Sequence, residues 1–327
     1  MSLVFPPLGQ RWRRLVCSPL LAVTMSALGV GVEEKHADLR RLGLRPPGSK
    51  PPSGRPGGAV RGGDVLVRNS CSFMEVLYLQ LRFQPQFTVV SCEAGAAEGE
   101  ADPSQATHVA PVSFLSALLG SFAVPGLCSP KASTLAAIAA QAAKRGAPVV
   151  VAPEVARTNG SSVLEFAPVS ASVAPNAGTA GGPRAGQAAA RLMAPRVHAA
   201  AFSYHGGGFF SPAQPVGSAA LQLFWLCSQL LKTTMVVTFL SAEDCPQMAS
   251  TAQAGGKGKG KGASGAPPAP SPSAWADQIR SLVASMAGRP KVSLGYADYT
   301  SFVEYWLLVR RGDKAGAAAL ADKRKKN

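Results

Sequence analysis

The chain has no run of about 20 purely apolar residues, the length a helix needs to cross a bilayer, which argues against a multi-span membrane protein. Charge is scarce, with Asp, Glu, Lys and Arg making up 16 % of its 327 residues, and so are aromatics, at 7 %. The low charge excludes a coiled coil, whose flanking heptad positions need it. The 34 glycines follow no three-residue repeat, which excludes a collagen. Apolar residues still reach 46 %, enough to build a core and too many for a wholly disordered chain. Cys17, Cys71, Cys92, Cys128, Cys227 and Cys245 form no C-x-x-C pair, and none stands at zinc-ligand spacing from a histidine. They are expected to be reduced, partly buried thiols of an intracellular protein, and no metal site is expected. Histidine is rarer still, limited to His36, His108, His198 and His205.

What is present is unevenly spread. Residues 1–62 hold ten Lys/Arg against three Asp/Glu, and residues 251–327 hold thirteen against five. Residues 63–250 hold ten of each. A neutral centre lacks the basic stripe of a nucleic-acid-binding domain, so no nucleic-acid partner is expected. Basic flanks suit either an anionic membrane surface or plain solvation.

Patterning divides the chain. Residues 1–45 read as a membrane-associating segment. Arg11, Arg13 and Arg14 precede the mostly apolar Leu15–Val32, and an amphipathic stretch, Glu33–Leu44, follows. Leu15–Val32 fits a signal-peptide-like segment, a short span, or a helix that dips into a membrane or packs on the core. Residues 46–63 and 249–273 are Pro/Gly/Ser- and Gly/Lys-rich linkers, and 172–194 is a low-complexity insertion. Residues 64–248 form the main domain, 274–311 a helical extension and 312–327 a basic tail. Within the main domain, strands are expected over 64–68, 87–92, 149–152, 197–204 and 234–240. Helices are expected over 72–83, 112–122, 132–143 and 219–231. Alternating strands and helices predict an α/β fold with a largely parallel central sheet flanked by helices.

Two segments carry polar residues where a buried strand ends, the usual place for a site in an α/β sheet. The first is Val67-Arg68-Asn69-Ser70-Cys71-Ser72-Phe73-Met74-Glu75, in which Ser72 and Glu75 also have the S-x-x-E spacing of a capping box. The second is Ala152-Pro153-Glu154-Val155-Ala156-Arg157-Thr158-Asn159-Gly160. Its Arg and hydroxyl could grip a phosphate, and Asn159-Gly160 equally suits an ordinary turn.

Together these segments resemble the glycerolipid acyltransferases of the lysophosphatidic acid type. In that family a strand leads into N-H-x-S-x-x-D, and a later block reads F-P-E-G-T-T-S-N-G in one eukaryotic branch. Asn69, Ser72 and Glu75 align with the first block. Pro153, Glu154, Arg157, Thr158, Asn159 and Gly160 align with the second, and Leu164-Glu165-Phe166-Ala167-Pro168 is similar to the L-K-F-x-P that follows. The C-terminal residues Trp275, Arg280, Leu294-Gly295, Phe302 and Tyr305-Trp306 also fit that branch, so the resemblance runs over roughly residues 11–309.

The resemblance implies transfer of a fatty acyl group from acyl-CoA, as co-substrate and without a bound cofactor, to a lysophospholipid. It also implies an intracellular membrane such as the endoplasmic reticulum. Asn69, Ser72, Pro153, Glu154, Arg157, Thr158, Asn159 and Gly160 would bind substrate, and Glu75 and the residue at position 70 would carry catalysis. The departures fall on the chemistry. The family's general base is a His, and here it is Ser70. Its orienting Asp is Glu75, and the Gly and Thr of the second block are Val155 and Ala156. A positioned base contributes about 10²–10⁴ in rate, so impaired or altered catalysis is expected. The alternative is an inactive relative that binds lipid or a partner at a membrane.

Overall fold

The computed structural model describes residues 19–44, 54–92, 107–123, 129–169, 195–206, 211–214, 218–228, 233–248 and 271–326. After a helical stretch over 19–27 the elements run β1 (Val30–His36), β2 (Val65–Arg68), α1 (Phe73–Phe83), β3 (Gln86–Ser91), β4 (His108–Val112), α2 (Phe114–Gly120), α3 (Leu135–Lys144), β5 (Val149–Val151), β6 (Val197–Gly206), α4 (Ala219–Ser228), β7 (Thr233–Leu240), α5 (Pro272–Ala287), α6 (Tyr296–Arg311) and α7 (Lys314–Lys326).

The strands form one seven-stranded sheet in the order β1-β7-β6-β2-β5-β3-β4. β2 pairs in parallel with both β5 and β6, β3 with β5, and β1 with β7, while β6–β7 and β3–β4 are antiparallel. The fold is therefore α/β with a mostly parallel sheet. The apolar runs Val65-Leu66-Val67 and Val149-Val150-Val151 are buried throughout, as central strands covered on both faces must be. Alternation sends Val65, Val67, Val149 and Val151 to one face, where α3 and α5 cover them. Leu66 and Val150 point to the other, under α1. Trp275, Ile279 and Val283 of α5 belong to the first of these cores, so the C-terminal helical region packs directly on the sheet.

Two strands were not foreseen. The stretch expected to be amphipathic from Glu33 is a strand from Val30 to His36. Gly29, at φ +69°, ends the preceding helical turn, and the backbone then pairs in register with β7. Strand β4 lies where no element was expected, just ahead of the helix expected from Val112, and Pro111 is tolerated on this edge strand. Leu164–Phe166 forms no regular element. Of the expected linkers, residues 54–63 are turns packed closely on the domain: a Cβ on Gly62 would lie 2.7 Å from the backbone of Gly146. The basic tail is helical as α7. Residues 1–18, the 172–194 insertion and most of the 249–273 linker lie outside the described residues. No helix among the described residues is long and apolar enough to cross a membrane.

Candidate functional site

β2 is the central strand, and it and its parallel neighbour β5 connect onward in opposite directions. From β2 the chain passes through α1 on one face to β3. From β5 it passes through residues 153–169, whose Val163, Phe166 and Ala167 pack on the other face, to β6. Such a reversal opens a crevice beyond the carboxyl ends of the two strands, where α/β sheets place their ligands. Both segments singled out in the sequence enter this crevice.

They are joined by hydrogen bonds. The Ser70 N–H donates to Glu154 Oε2, and the Thr158 N–H donates to the Ser70 carbonyl at 3.0 Å. Cys71 Sγ and Thr158 Oγ1 lie 3.3 Å apart. Asn69 is bolted to β6: its Nδ2 donates to the Phe202 carbonyl at 2.9 Å, and its Oδ1 accepts from the Phe202 N–H at 2.7 Å. Ser72 is the N-cap of α1 with a complete capping box, its Oγ accepting from the Met74 N–H.

Glu75 is fully buried. Its carboxylate accepts from Arg68 Nη1, from the Cys71 and Ser72 N–H groups at 3.0 Å each, and from the Tyr204 hydroxyl at 3.3 Å. Glu154 is as deeply buried, and besides Ser70 it accepts from the Leu164 N–H at 3.0 Å. Burial raises both carboxyls. Glu75 is pushed up to about 7 against the opposing pull of Arg68 and the amides. Glu154 is pushed up to about 8, with the Glu75 charge adding to the effect. Arg68 bonds Glu75 and draws Glu154 down by its charge, and Arg157 also feels the Glu75 charge, so burial prevails over two nearby cations. Burial and the same carboxylates also push the Cys71 thiol well up, which makes it an inert thiol rather than a nucleophile.

The remaining expected binding residues are mostly occupied within the protein. Thr158 Oγ1 accepts from the Gly160 N–H at 3.1 Å. Arg157 is buried, its guanidinium donates to the Tyr299 hydroxyl oxygen, and burial lowers its affinity for its proton. The Pro153 carbonyl accepts from the Ala167 N–H. Asn159 lies outside the cluster, exposed, with its Oδ1 accepting from the Ser161 N–H in a turn, and Gly160 follows at φ +75°. Val155, where the resembled family has Gly, keeps a left-handed φ of +59°. The Ala156 N–H bonds the Glu154 carbonyl at 2.6 Å, closing a tight three-residue turn that a β-branched residue rarely adopts.

No histidine joins this cluster. His198 is at the opposite end of β2 and β6, 3.0 Å from Asp64 through Nε2. Its Nδ1 accepts from the Ala242 N–H, and burial keeps the ring neutral. His205 is exposed, and strand alternation turns it to the opposite sheet face from Tyr204. Arg68, Tyr204 and Tyr299 were not among the expected site residues. Arg68 had a signal: it is the lone charge closing a fully apolar strand. Among the described residues no group of three or more His, Cys, Asp or Glu could hold a metal ion. A cavity of about 390 Å³, lined by Gly57, Arg61, Arg82 and Gln84, lies at the other end of α1 and shares no residue with the site.

The buried carboxyls predict an unusual pH dependence. In the folded chain they hold protons more tightly than an ordinary Glu at 4.5. From about pH 5 to pH 8 the folded state therefore binds more protons than the unfolded state, and stability falls as pH rises. Denaturant midpoints measured across this range should decline, and Glu154→Gln should flatten the slope. A midpoint that rises over the same window would contradict the arrangement.

No protein-family model, no curated protein and no solved structure matches this chain.

Proposed function

We propose that this chain is a glycerolipid acyltransferase-like protein that keeps the substrate cleft and lacks a working general base. It takes a lysophospholipid, with acyl-CoA as co-substrate, at an intracellular membrane surface, and acyl transfer is impaired or absent. The observation that carries the reading is the meeting of residues 68–75 with residues 153–160 around Ser70. The loop that would present the base has its backbone anchored from both sides, and the side chain it presents is a hydroxyl. A hydroxyl with no adjacent base is essentially un-ionised at neutral pH. Glu75 has a proton affinity suited to base catalysis, which supports a second reading in which it takes the substrate proton. Against that reading stand its complete burial and the donors already on its carboxylate.

Arg157 is the cation assigned to the phosphate, exchanging its Tyr299 contact for the ligand. Equilibrium binding of lysophosphatidic acid to the full chain should weaken by about tenfold or more in Arg157→Gln, the loss expected for a charge-assisted hydrogen bond. Tyr299→Phe should leave binding equal or tighter. Unchanged affinity in Arg157→Gln would remove this assignment.

A further inference from the structure

Three helical segments on the α1 side of the sheet carry no charged residue: 19–27, α2 and α4. Each turns apolar side chains inward. Met25 and Leu226 are buried in the core under α1, and Phe114 and Leu118 pack against it. Each also turns large apolar side chains outward. Leu20 is 69 % exposed, Val23 67 %, Leu115 and Leu119 60 % each, Phe224 62 % and Trp225 46 %. A surface helix of a soluble domain keeps its polar residues on that outer face, and a helix apolar all round is covered by something. Scattered exposed leucines mean little, but a set of this size on three helices of one face marks an interaction surface.

We infer that this face docks in the interfacial layer of a bilayer containing anionic lipid. Length decides how it sits. Among the described residues none of the segments is long enough to cross the hydrocarbon, so they lie in the interface with Phe224 and Trp225 at headgroup depth. Charge decides what covers it. The three segments hold no carboxylate, and Arg11, Arg13 and Arg14 precede residue 19 by only a few residues, which keeps them within about 30 Å of it. An anionic surface complements those arginines. A second copy would bring another formal +15 against them, with no acidic residue on the three segments to pair it.

Docking also orients the crevice. Residues 19–27 lead into the start of β1, where Val30 pairs with Thr233, and α4 lies in the connection between Gly206 and Thr233. All of this is at the sheet end that carries Asn69 and Glu75. The inference stands on exposure and charge, independently of the acyl chemistry assigned to the cleft.

The test is co-sedimentation of the full chain with vesicles of phosphatidylcholine alone or with roughly 30 mol % phosphatidylserine, using the expected gain per basic residue as the scale. The wild type should pellet with anionic vesicles and bind neutral ones at least tenfold more weakly. Leu119→Glu with Phe224→Glu should abolish pelleting while circular dichroism stays unchanged, since both side chains already face solvent. Arg11, Arg13 and Arg14 changed together to Gln should lose the preference for phosphatidylserine. Equal pelleting with both compositions, or Glu variants that pellet like the wild type, would overturn the proposal. So would a wild-type dimer that ignores vesicles and that the Glu variants split. Turnover by a Ser70→His variant is read separately in detergent micelles, so failure of the docking face and failure of the cleft reading remain distinguishable.

Discussion

Arg68→Met should destabilise the fold by about 1–3 kcal/mol at pH 7.5, the usual cost of leaving buried acceptors without their charged donor. The Arg68 side chain is 9 % exposed and that of Glu75 is 0 %, so little water is available to take over the charge. Methionine replaces most of the aliphatic volume, which confines the loss to electrostatics. Two controls follow from the same physics. Removing the cation raises the Glu75 carboxyl further, so the penalty should shrink towards pH 5, where the group is neutral. Arg68→Met with Glu75→Gln should recover much of the loss, because removing both charges costs less than orphaning one. Denaturant unfolding of the three proteins at pH 5 and pH 7.5 checks all of this. A loss near zero at both pH values would mean that the Arg68–Glu75 pair does not hold the cluster together.

The second large effect is a gain. Ser70→His with Glu75→Asp should raise acyl transfer to lysophosphatidic acid by about 10²–10⁴ over the wild type, the range a positioned base contributes. Glu154 and Thr158 already hold the main chain of residue 70, and its side chain is only half-buried, so an imidazole has a fixed root and room to project. Ser70→His alone should gain less. Glu75 reaches back to Arg68 and to the amides of Cys71 and Ser72, and a carboxylate so occupied orients an imidazole poorly. The shorter Asp gives up part of that network. The double variant should therefore also be less stable, which the same unfolding assay reads. Absence of any gain in a variant that folds would count against the cleft as an acyl-transfer scaffold.

Much of this arrangement was legible in the sequence, and the gaps have physical causes. The runs Val65–Val67 and Val149–Val151 are long enough and apolar enough to fix the central strands. The polar segments that follow them then fall at one sheet end. The S-x-x-E spacing gave the cap of α1 outright. β1 escaped because its alternation is diluted by Glu33, Glu34 and Lys35, whose side chains are exposed or paired with Arg55 and Arg82 at the sheet edge. β4 escaped because a proline inside a short apolar stretch reads as a break, and only the sheet order makes it an edge. Within the site, the sequence named Glu75 and Glu154 but not their sharing of Arg68, since that depends on which sheet face each residue takes. Tyr204 and Tyr299 come from distant elements, and no local pattern announces them. Val155 looked like a lost glycine, yet its φ of +59° shows that the turn survives the change of residue.

The account rests on the absence of a working base at Ser70, and one measurement meets that directly. Full-length wild-type protein is incubated with labelled acyl-CoA and lysophosphatidic acid at pH 7.5, beside a heat-denatured control and Glu75→Gln. The expected result is product at or barely above the denatured control in both. Sustained turnover by the wild type that Glu75→Gln abolishes would contradict the account and make the buried glutamate the base.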